Sequence, residues 1–181
     1  MASKSKNKGK SFEREMCNIL GEIYNDNFER VPHSGAFVGG MNASRKSTLT
    51  ENQIKAFKGD IIPPDHWKYF NCECKNYADF PFHHLIQNKP IPILEQWLEQ
   101  TLDAHDENDI DLLFMKFNRK GIYLAYPAEH QRFLLSLRSV IYGSQNYGSW
   151  VFTYWPDFSE IKDNLEVIEK FAINGTNFNP F

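Results

Sequence analysis

The residues best suited to carry chemistry in this chain are Asp60, Glu73 and Lys75. They lie in two short segments rich in apolar and aromatic residues, 58–62 and 69–75, with a proline-containing turn between them. This pattern predicts two strands joined as a hairpin. Because side chains alternate between the two faces of a strand, Glu73 and Lys75 share one face, and the turn brings Asp60 beside Glu73.

Two carboxylates brought this close predict a bound divalent cation. Like charges at short distance repel unless a cation lies between them, and hard oxygen donors suit Mg²⁺ or Mn²⁺. The alternative interpretation is a half-exposed strand on which Glu73 and Lys75 form an ordinary surface ion pair.

The opposite face of the second strand carries Cys72 and Cys74. A C-x-C pair can indicate a zinc site, but no second pair with zinc-site spacing accompanies it. The chain has three cysteines, and an odd number favours reduced thiols over disulfides. We therefore predict that both side chains pack in the core.

Asp60 followed by Glu73-Cys74-Lys75 resembles the signature of the PD-(D/E)xK nucleases, with Gly59 at the position where many members carry proline. The resemblance implies an α/β fold with a restriction-endonuclease-like core, in which helices flank a central mixed sheet. It also implies phosphodiester hydrolysis with Mg²⁺ or Mn²⁺ as the cofactor.

Apolar residues at helical spacing predict a helix that begins at an N-cap, Ser11, and ends near Tyr24. Arg14 points away from its apolar face. Glu13 and Glu15 flank that face on opposite sides, so periodicity does not choose between them as a carboxylate of the site.

The opening of the chain resembles that of the archaeal-type Holliday junction resolvases in two motifs, Phe12-Glu13-Arg14-Glu15 and Arg30-Val31-Pro32-His33-Ser34-Gly35. The match covers roughly residues 10–77. One departure is the length between Ser34 and Asp60, which is greater here than in that family. The resemblance implies a homodimeric enzyme that cuts branched DNA such as four-way junctions, in the cytoplasm of a bacterial, archaeal or phage-infected cell.

The resemblance also assigns roles to single residues. It implies catalytic roles for Glu13, Ser34, Asp60, Glu73 and Lys75. The implied metal ligands are Glu13, Asp60, Glu73 and the backbone carbonyl of Cys74, and Arg30 and Ser34 are implied to bind phosphate. The same signature serves restriction enzymes, exonucleases and nickases, and a non-catalytic DNA-binding module is a further alternative.

The charge distribution favours DNA binding by the N-terminal part of the chain, although the net charge is −3. Residues 1–60 carry ten lysines and arginines against seven acidic residues, whereas residues 61–181 carry ten against sixteen. We predict a flexible basic arm over residues 1–10. The predicted DNA contacts are Lys4, Lys6, Lys8, Lys10, Arg14, Arg45 and Lys46.

The remaining pattern predicts a single nuclease domain over residues 11–173 and a loose tail over 174–181. The predicted elements after residue 90 are a helix near 93–102, a hairpin over 111–117 and 121–126, a helix over 129–138, a strand over 149–155 and a helix over 159–171. No apolar run reaches membrane-spanning length, so no membrane contact is expected.

Two surface features are also predicted. The insert 35–57 is either a surface excursion or a flap that closes over DNA. The aromatic-rich C-terminal half, including Trp97, Trp150 and Trp155, is the predicted dimer surface.

Overall fold

A computed structural model describes residues 4–32 and 58–181, with side chains from Lys8 onward in the first helix. The predictions for Ser34, Arg45, Lys46 and the insert 35–57 lie outside these residues.

The first helix, α1 (Lys4–Tyr24), is longer than predicted. It begins seven residues before Ser11, so Ser11 lies inside the helix and the basic segment from Lys4 to Lys10 forms its first turns. Lysine is a good helix former, and this propensity outweighs the preference of serine for a capping position. The predicted apolar face is confirmed, since Phe12, Met16 and Leu20 are at most 2% exposed.

The chain next forms a small antiparallel sheet from β1 (Glu29–Arg30) and β2 (Ile61–Ile62), with Arg30 opposite Ile61. The predicted strand 58–62 is therefore reduced to its last two residues, and the predicted hairpin partner is wrong. Gly59 has φ +61°, which interrupts an extended strand before Asp60. Two prolines then follow β2, and neither can donate a backbone hydrogen bond to a neighbouring strand.

Among the described residues, the central sheet has five strands in the order β3-β4-β5-β7-β6. Their bounds are β3 Phe70–Tyr77, β4 Ile110–Phe117, β5 Gly121–Pro127, β6 Ser139–Gly143 and β7 Ser149–Tyr154. β3 lies at one edge and runs parallel to β4, whereas the other neighbours are antiparallel. The sheet is thus mixed, as predicted.

Helices cover both faces of the sheet. They are α2 (Phe82–Ile86), α3 (Pro92–Asp103), α4 (Trp155–Ser159) and α5 (Lys162–Asn174). Apolar residues of α1, α4 and α5 pack on the face that carries Cys72 and Leu112. Apolar residues of α2 and α3 pack on the opposite face, around Leu113 and Met115. This α/β arrangement agrees with the core expected of a restriction-endonuclease-like fold.

The predicted helix 129–138 is wrong. A 3₁₀ helix, Ala128–Arg132, is followed by an irregular segment and then by β6. The amide side chain of Asn164 holds this segment, because it accepts from the backbone N–H of Leu135 at 2.7 Å and donates to its carbonyl at 2.8 Å. A contact from α5 therefore overrides the local apolar spacing.

The C-terminal predictions also need correction. Ser159 ends α4 instead of capping the last helix, and its hydroxyl donates to the carbonyl of Pro156 at 3.2 Å. The segment after α5, predicted to be loose, is hydrogen-bonded to the rest of the fold. The N–H of Thr176 donates to Asn108 at 2.9 Å, and Lys170 Nζ donates to the carbonyl of Pro180 at 3.0 Å.

The tryptophans expected at a dimer surface lie in the core. Trp97 and Trp150 are 2% exposed and Trp155 is 4% exposed. They fill both faces of the sheet, where Trp97 packs against Phe80 and Trp155 packs edge-on against Phe114. Within residues 4–32 and 58–181, no helix is both long enough and apolar enough to cross a bilayer.

Candidate active site

The alternation of side chains along β3 agrees with the prediction. Cys72 and Cys74 are free thiols buried in the core beneath α1, α4 and α5. Asn71, Glu73 and Lys75 point to the other face, towards α3. Their neighbours there include the carbonyl of Thr101 and the side chain of Gln100. The strand thus separates an apolar face from a polar one at the edge of the sheet.

Asp60 is held against this edge by three hydrogen bonds. Its N–H donates to the carbonyl of Cys72 at 2.8 Å, and its own carbonyl accepts from the N–H of Val31 at 3.0 Å. Its Oδ2 accepts from the N–H of Cys74 at 2.9 Å. Because the N–H and C=O of one strand residue face the same neighbour, the Cys74 carbonyl points to this edge too.

Glu73 and Lys75 form a nearly buried ion pair beside Asp60. Their side chains are 13% and 14% exposed, and Lys75 Nζ contacts Glu73 Oε1. The same ammonium donates to Gln100 Oε1 at 2.6 Å. Burial would lower the pKa of Lys75, but the Glu73 carboxylate outweighs that effect and the pKa is raised.

The carboxyl group of Glu73 has a perturbed pKa. Burial, followed by the neighbouring Asp60 carboxylate, raises the pKa of Glu73 to about 7, although Lys75 opposes the change. A buried acid next to a second acid takes up a proton unless a cation compensates the charge. Asp60, Glu73 and the Cys74 carbonyl therefore form an all-oxygen donor set that fits a hard divalent cation such as Mg²⁺ or Mn²⁺.

This shift predicts a pH-dependent stability for the metal-free protein. The unfolded chain releases the Glu73 proton near pH 4.3, whereas the folded chain retains it up to about 7. Stability should therefore fall as the pH rises through that window, with the loss complete above it. Thermal unfolding of the wild type and of Glu73→Gln between pH 5 and 8 measures this, because the variant should lack the Glu73 contribution. Equal pH slopes for the two proteins would contradict the assigned shift.

Glu13 lies next to this site, but its carboxylate is not grouped closely with those of Asp60 and Glu73. It is 7% exposed, and Arg30 Nη1 donates to its Oε2 at 3.2 Å and to the carbonyl of Val31 at 2.9 Å. Since Val31 also bonds to Asp60, Arg30 connects Glu13 to the Asp60 turn. The possible ligand atoms of Glu13, Asp60 and Glu73, all within the described residues, do not all lie within 4.8 Å of one another.

The geometry distinguishes the two helix carboxylates that periodicity left equivalent. Glu15 is bound by Lys116 of β4 at 2.5 Å, and its side chain is 38% exposed. Glu13 is buried on the side of β1 and Asp60. Of the two, Glu13 is the carboxylate next to the candidate site.

Part of the predicted DNA-binding set lies on α1, whose first turns contact β3 near the same edge. Lys8 and Lys10 are exposed, and the carbonyl of Lys8 accepts from Asn76 Nδ2 at 3.2 Å. This contact places the first turns of α1 beside the residue that follows Lys75. Arg14 is also exposed and, four residues after Lys10, lies on the same side of the helix. Lys4 and Lys6 belong to the same helix.

Two features of this region escaped sequence reasoning. Gln100 has no motif around it, and only the packing of α3 on β3 brings it to Lys75. His105, Asp109 and Asp111 form a second cluster of potential ligands, all within 4.8 Å of one another. The pairing of Asn71 with Asp111 in the parallel register of β3 and β4 places this cluster two residues along from Glu73. The clustering of acids at 106–111 was the available signal.

Comparison with known proteins agrees with the geometry. Residues 4–168 match the family described as "Phage putative PDDEXK endonuclease". No curated protein and no solved structure matches the chain. The family match spans α1, both sheets and most of α5, and thus includes every described residue of the candidate site. Nucleases of this superfamily are typically dependent on divalent metals, and the all-oxygen donor set beside Glu73 agrees with that requirement. The chain belongs to this phage family of PD-(D/E)xK endonucleases.

Proposed function

We propose that this protein is a metal-dependent, structure-selective DNA endonuclease that resolves branched DNA such as four-way junctions. The observation that carries the nuclease part is the convergence of Asp60, Glu73 and Lys75 at the edge strand β3. The junction preference is supported by the resemblance of the Glu13-Arg14-Glu15 and Arg30 to Ser34 motifs to the archaeal-type resolvases.

In this proposal, Asp60, Glu73 and the Cys74 carbonyl hold Mg²⁺ or Mn²⁺, and Glu13 contributes from α1 through an intervening water. The cation, when bound, supplies Lewis-acid stabilisation of the charge on the scissile phosphate. Lys75 is already fixed by Glu73 and Gln100, so it is oriented to hold the attacking water and to balance developing negative charge.

The remaining residues bind the DNA backbone. Arg30 and Ser34 hold phosphate near the cut, and the exposed lysines of α1 with Arg14, Arg45 and Lys46 contact flanking phosphates. Contacts of this type position the protein without reading bases, which suits an enzyme that recognises the shape of a junction.

We also propose that the enzyme acts as a homodimer. A junction presents two symmetry-related phosphates, and productive resolution needs both strands cut before the junction escapes. One chain offers one Asp60/Glu73/Lys75 site, so a two-fold dimer supplies the second.

The test uses a supercoiled plasmid that extrudes a cruciform. Two cuts within one binding event should convert it directly to linear product, whereas independent nicking should accumulate nicked circles first. Light scattering on the same preparation gives the oligomeric state. A monomer that degrades linear duplex as readily as the cruciform would rule out the resolvase function and leave a general PD-(D/E)xK nuclease.

A further inference from the structure

The turn that carries Asp60 lacks support from regular secondary structure. Residues 58–60 form a bend, and β2 begins only at Ile61. Two backbone hydrogen bonds of Asp60, to Cys72 and Val31, fix its peptide groups, and its Oδ2 accepts from the N–H of Cys74. The backbone before Asp60 passes through Gly59, whose conformational freedom is the largest of any residue. The hydrogen bonds of Asp60 do not fix the chain on the N-terminal side of this glycine.

Gly59 itself lies directly against β3. A Cβ atom at this position would be 2.4 Å from the carbonyl oxygen of Cys72, and φ is +61°. Only glycine permits this approach, because any larger residue would push the turn away from the strand. The close fit explains why Asp60 reaches the edge, but a glycine does not keep the turn there.

Among the described residues, Lys58 anchors the chain on the N-terminal side of Gly59. Its ammonium contacts the carboxylate of Asp109 and lies 3.2 Å from Asp106 Oδ2. The Lys58 side chain is only 9% exposed and that of Asp109 only 1%. Asp109 Oδ2 also accepts the N–H of Asp106 at 2.7 Å, which fixes the carboxylate in the loop between α3 and β4. A lysine this buried, two residues before Asp60, is unlike a mobile surface side chain.

The loop that receives Lys58 is tied to the strand that carries Glu73. Asp111, two residues after Asp109, pairs with Asn71 in the parallel register and accepts from Asn71 Nδ2 at 2.6 Å. His105 Nδ1 lies 2.8 Å from the other oxygen of Asp111. Within this cluster, Asp109 is thus paired with Lys58, and Asp111 is bonded to Asn71 and to His105. The segment from Asp106 to Asp111 therefore connects Lys58 of the Asp60 turn to Asn71 of β3.

We infer that Lys58 is a positioning residue for the Asp60 carboxylate, because its buried ion pair with Asp109 holds the Gly59 turn against β3 and keeps Asp60 beside Glu73. This inference rests on the proposed function, in which Asp60 and Glu73 bind the same cation. It assigns the acidic cluster at 105–111 a supporting role for that site.

The test measures Mn²⁺ binding by the DNA-free protein together with cleavage. In Lys58→Met, Mn²⁺ affinity should fall about tenfold, as expected when a residue that orients a ligand is lost. The direction of the change in Mn²⁺ affinity distinguishes a positioning role from a purely electrostatic one. Removal of a positive charge near a cation site would by itself tighten Mn²⁺ binding, whereas loss of positioning weakens it. The KM for DNA should change little, since Lys58 is buried, while higher Mn²⁺ should partly restore kcat.

Three further variants separate positioning from folding. Lys58→Arg keeps the charge and should bind Mn²⁺ nearly as well as the wild type. Asp109→Asn should weaken Mn²⁺ binding as Lys58→Met does. The double variant, Lys58→Met with Asp109→Asn, removes both buried charges, so its thermal stability should recover relative to Lys58→Met while Mn²⁺ binding stays weak. Lys120→Met is the matched control, because it breaks an exposed Lys–Asp pair with Asp79.

The outcomes are distinguishable. Wild-type Mn²⁺ affinity, or tighter binding, in a folded Lys58→Met variant overturns the inference while the proposed function stands. Loss of a whole Mn²⁺ equivalent in Asp109→Asn alone, with Lys58→Met unaffected, also overturns it, because the cluster would then be a metal site itself. A wild-type protein that neither binds Mn²⁺ nor cleaves DNA removes the proposed function, and the inference with it.

Discussion

Glu73→Gln should lower the cleavage rate at least about a thousandfold, while the variant folds and binds DNA as tightly as the wild type or more tightly. In the proposed mechanism the cation supplies several kcal/mol of charge stabilisation, and a loss of about 4 kcal/mol corresponds to that factor. DNA binding should not suffer, because the substitution removes a carboxylate that would face the phosphate backbone of bound DNA. Single-turnover cleavage with saturating Mg²⁺, beside a binding isotherm without metal, measures both effects.

The matched control for this substitution is Glu166→Gln. Glu166 is an exposed acid on α5, so the same chemical change should leave cleavage unaltered there. Full activity in a purified, folded Glu73→Gln variant would exclude Glu73 as a ligand. A parallel thermal unfolding curve identifies a variant that has lost its fold.

Replacing Lys4, Lys6, Lys8 and Lys10 together by glutamine should make DNA binding much less sensitive to salt. Each lysine at a phosphate contributes about 0.9 to the slope of log affinity against log salt, so four contacts account for up to about 3.6 units. Glutamine is a good helix former, so α1 and its contact with Asn76 should persist. Turnover at saturating DNA should change little, since the proposed mechanism assigns the reacting phosphate to Asp60, Glu73 and Lys75 and not to these lysines.

The matched control replaces four exposed lysines elsewhere, Lys68, Lys89, Lys120 and Lys162, with the same change in net charge. A general electrostatic effect would flatten the salt dependence equally in both variants. A specific DNA contact by the first turns of α1 should flatten it only in the first. An unchanged slope in the first variant would mean that this segment is a solubilising one.

Local periodicity in the sequence determined several parts of the fold. The spacing of Phe12, Met16 and Leu20 predicted the buried face of α1, and alternation along β3 predicted that Glu73 and Lys75 oppose Cys72 and Cys74. These predictions hold because a helix or a strand orients each side chain by the backbone geometry of its own neighbours. Asp60, Glu73 and Lys75, together with the motifs around Glu13 and Arg30, indicated the superfamily, which the family match confirms.

The tertiary structure decided what depends on contacts between residues distant in the chain. The sequence predicted that β2 pairs with β3, but β2 pairs with β1, and Asp60 reaches Glu73 through a glycine turn instead. Wrong predictions elsewhere, such as a helix at 129–138 and tryptophans at a surface, have the same origin. Burial against other elements outweighed the local pattern.

Periodicity did not choose between Glu13 and Glu15, for which only the resemblance favoured Glu13, and the contacts of Gln100 and Lys58 were not readable from the sequence. Each depends on which partner lies opposite: Arg30 for Glu13, Lys116 for Glu15, Lys75 for Gln100 and Asp109 for Lys58. Local sequence sets the face that a side chain occupies. Packing of helices and loops onto the sheet decides which residues that side chain contacts, because the free energy of a buried charge depends on its partner.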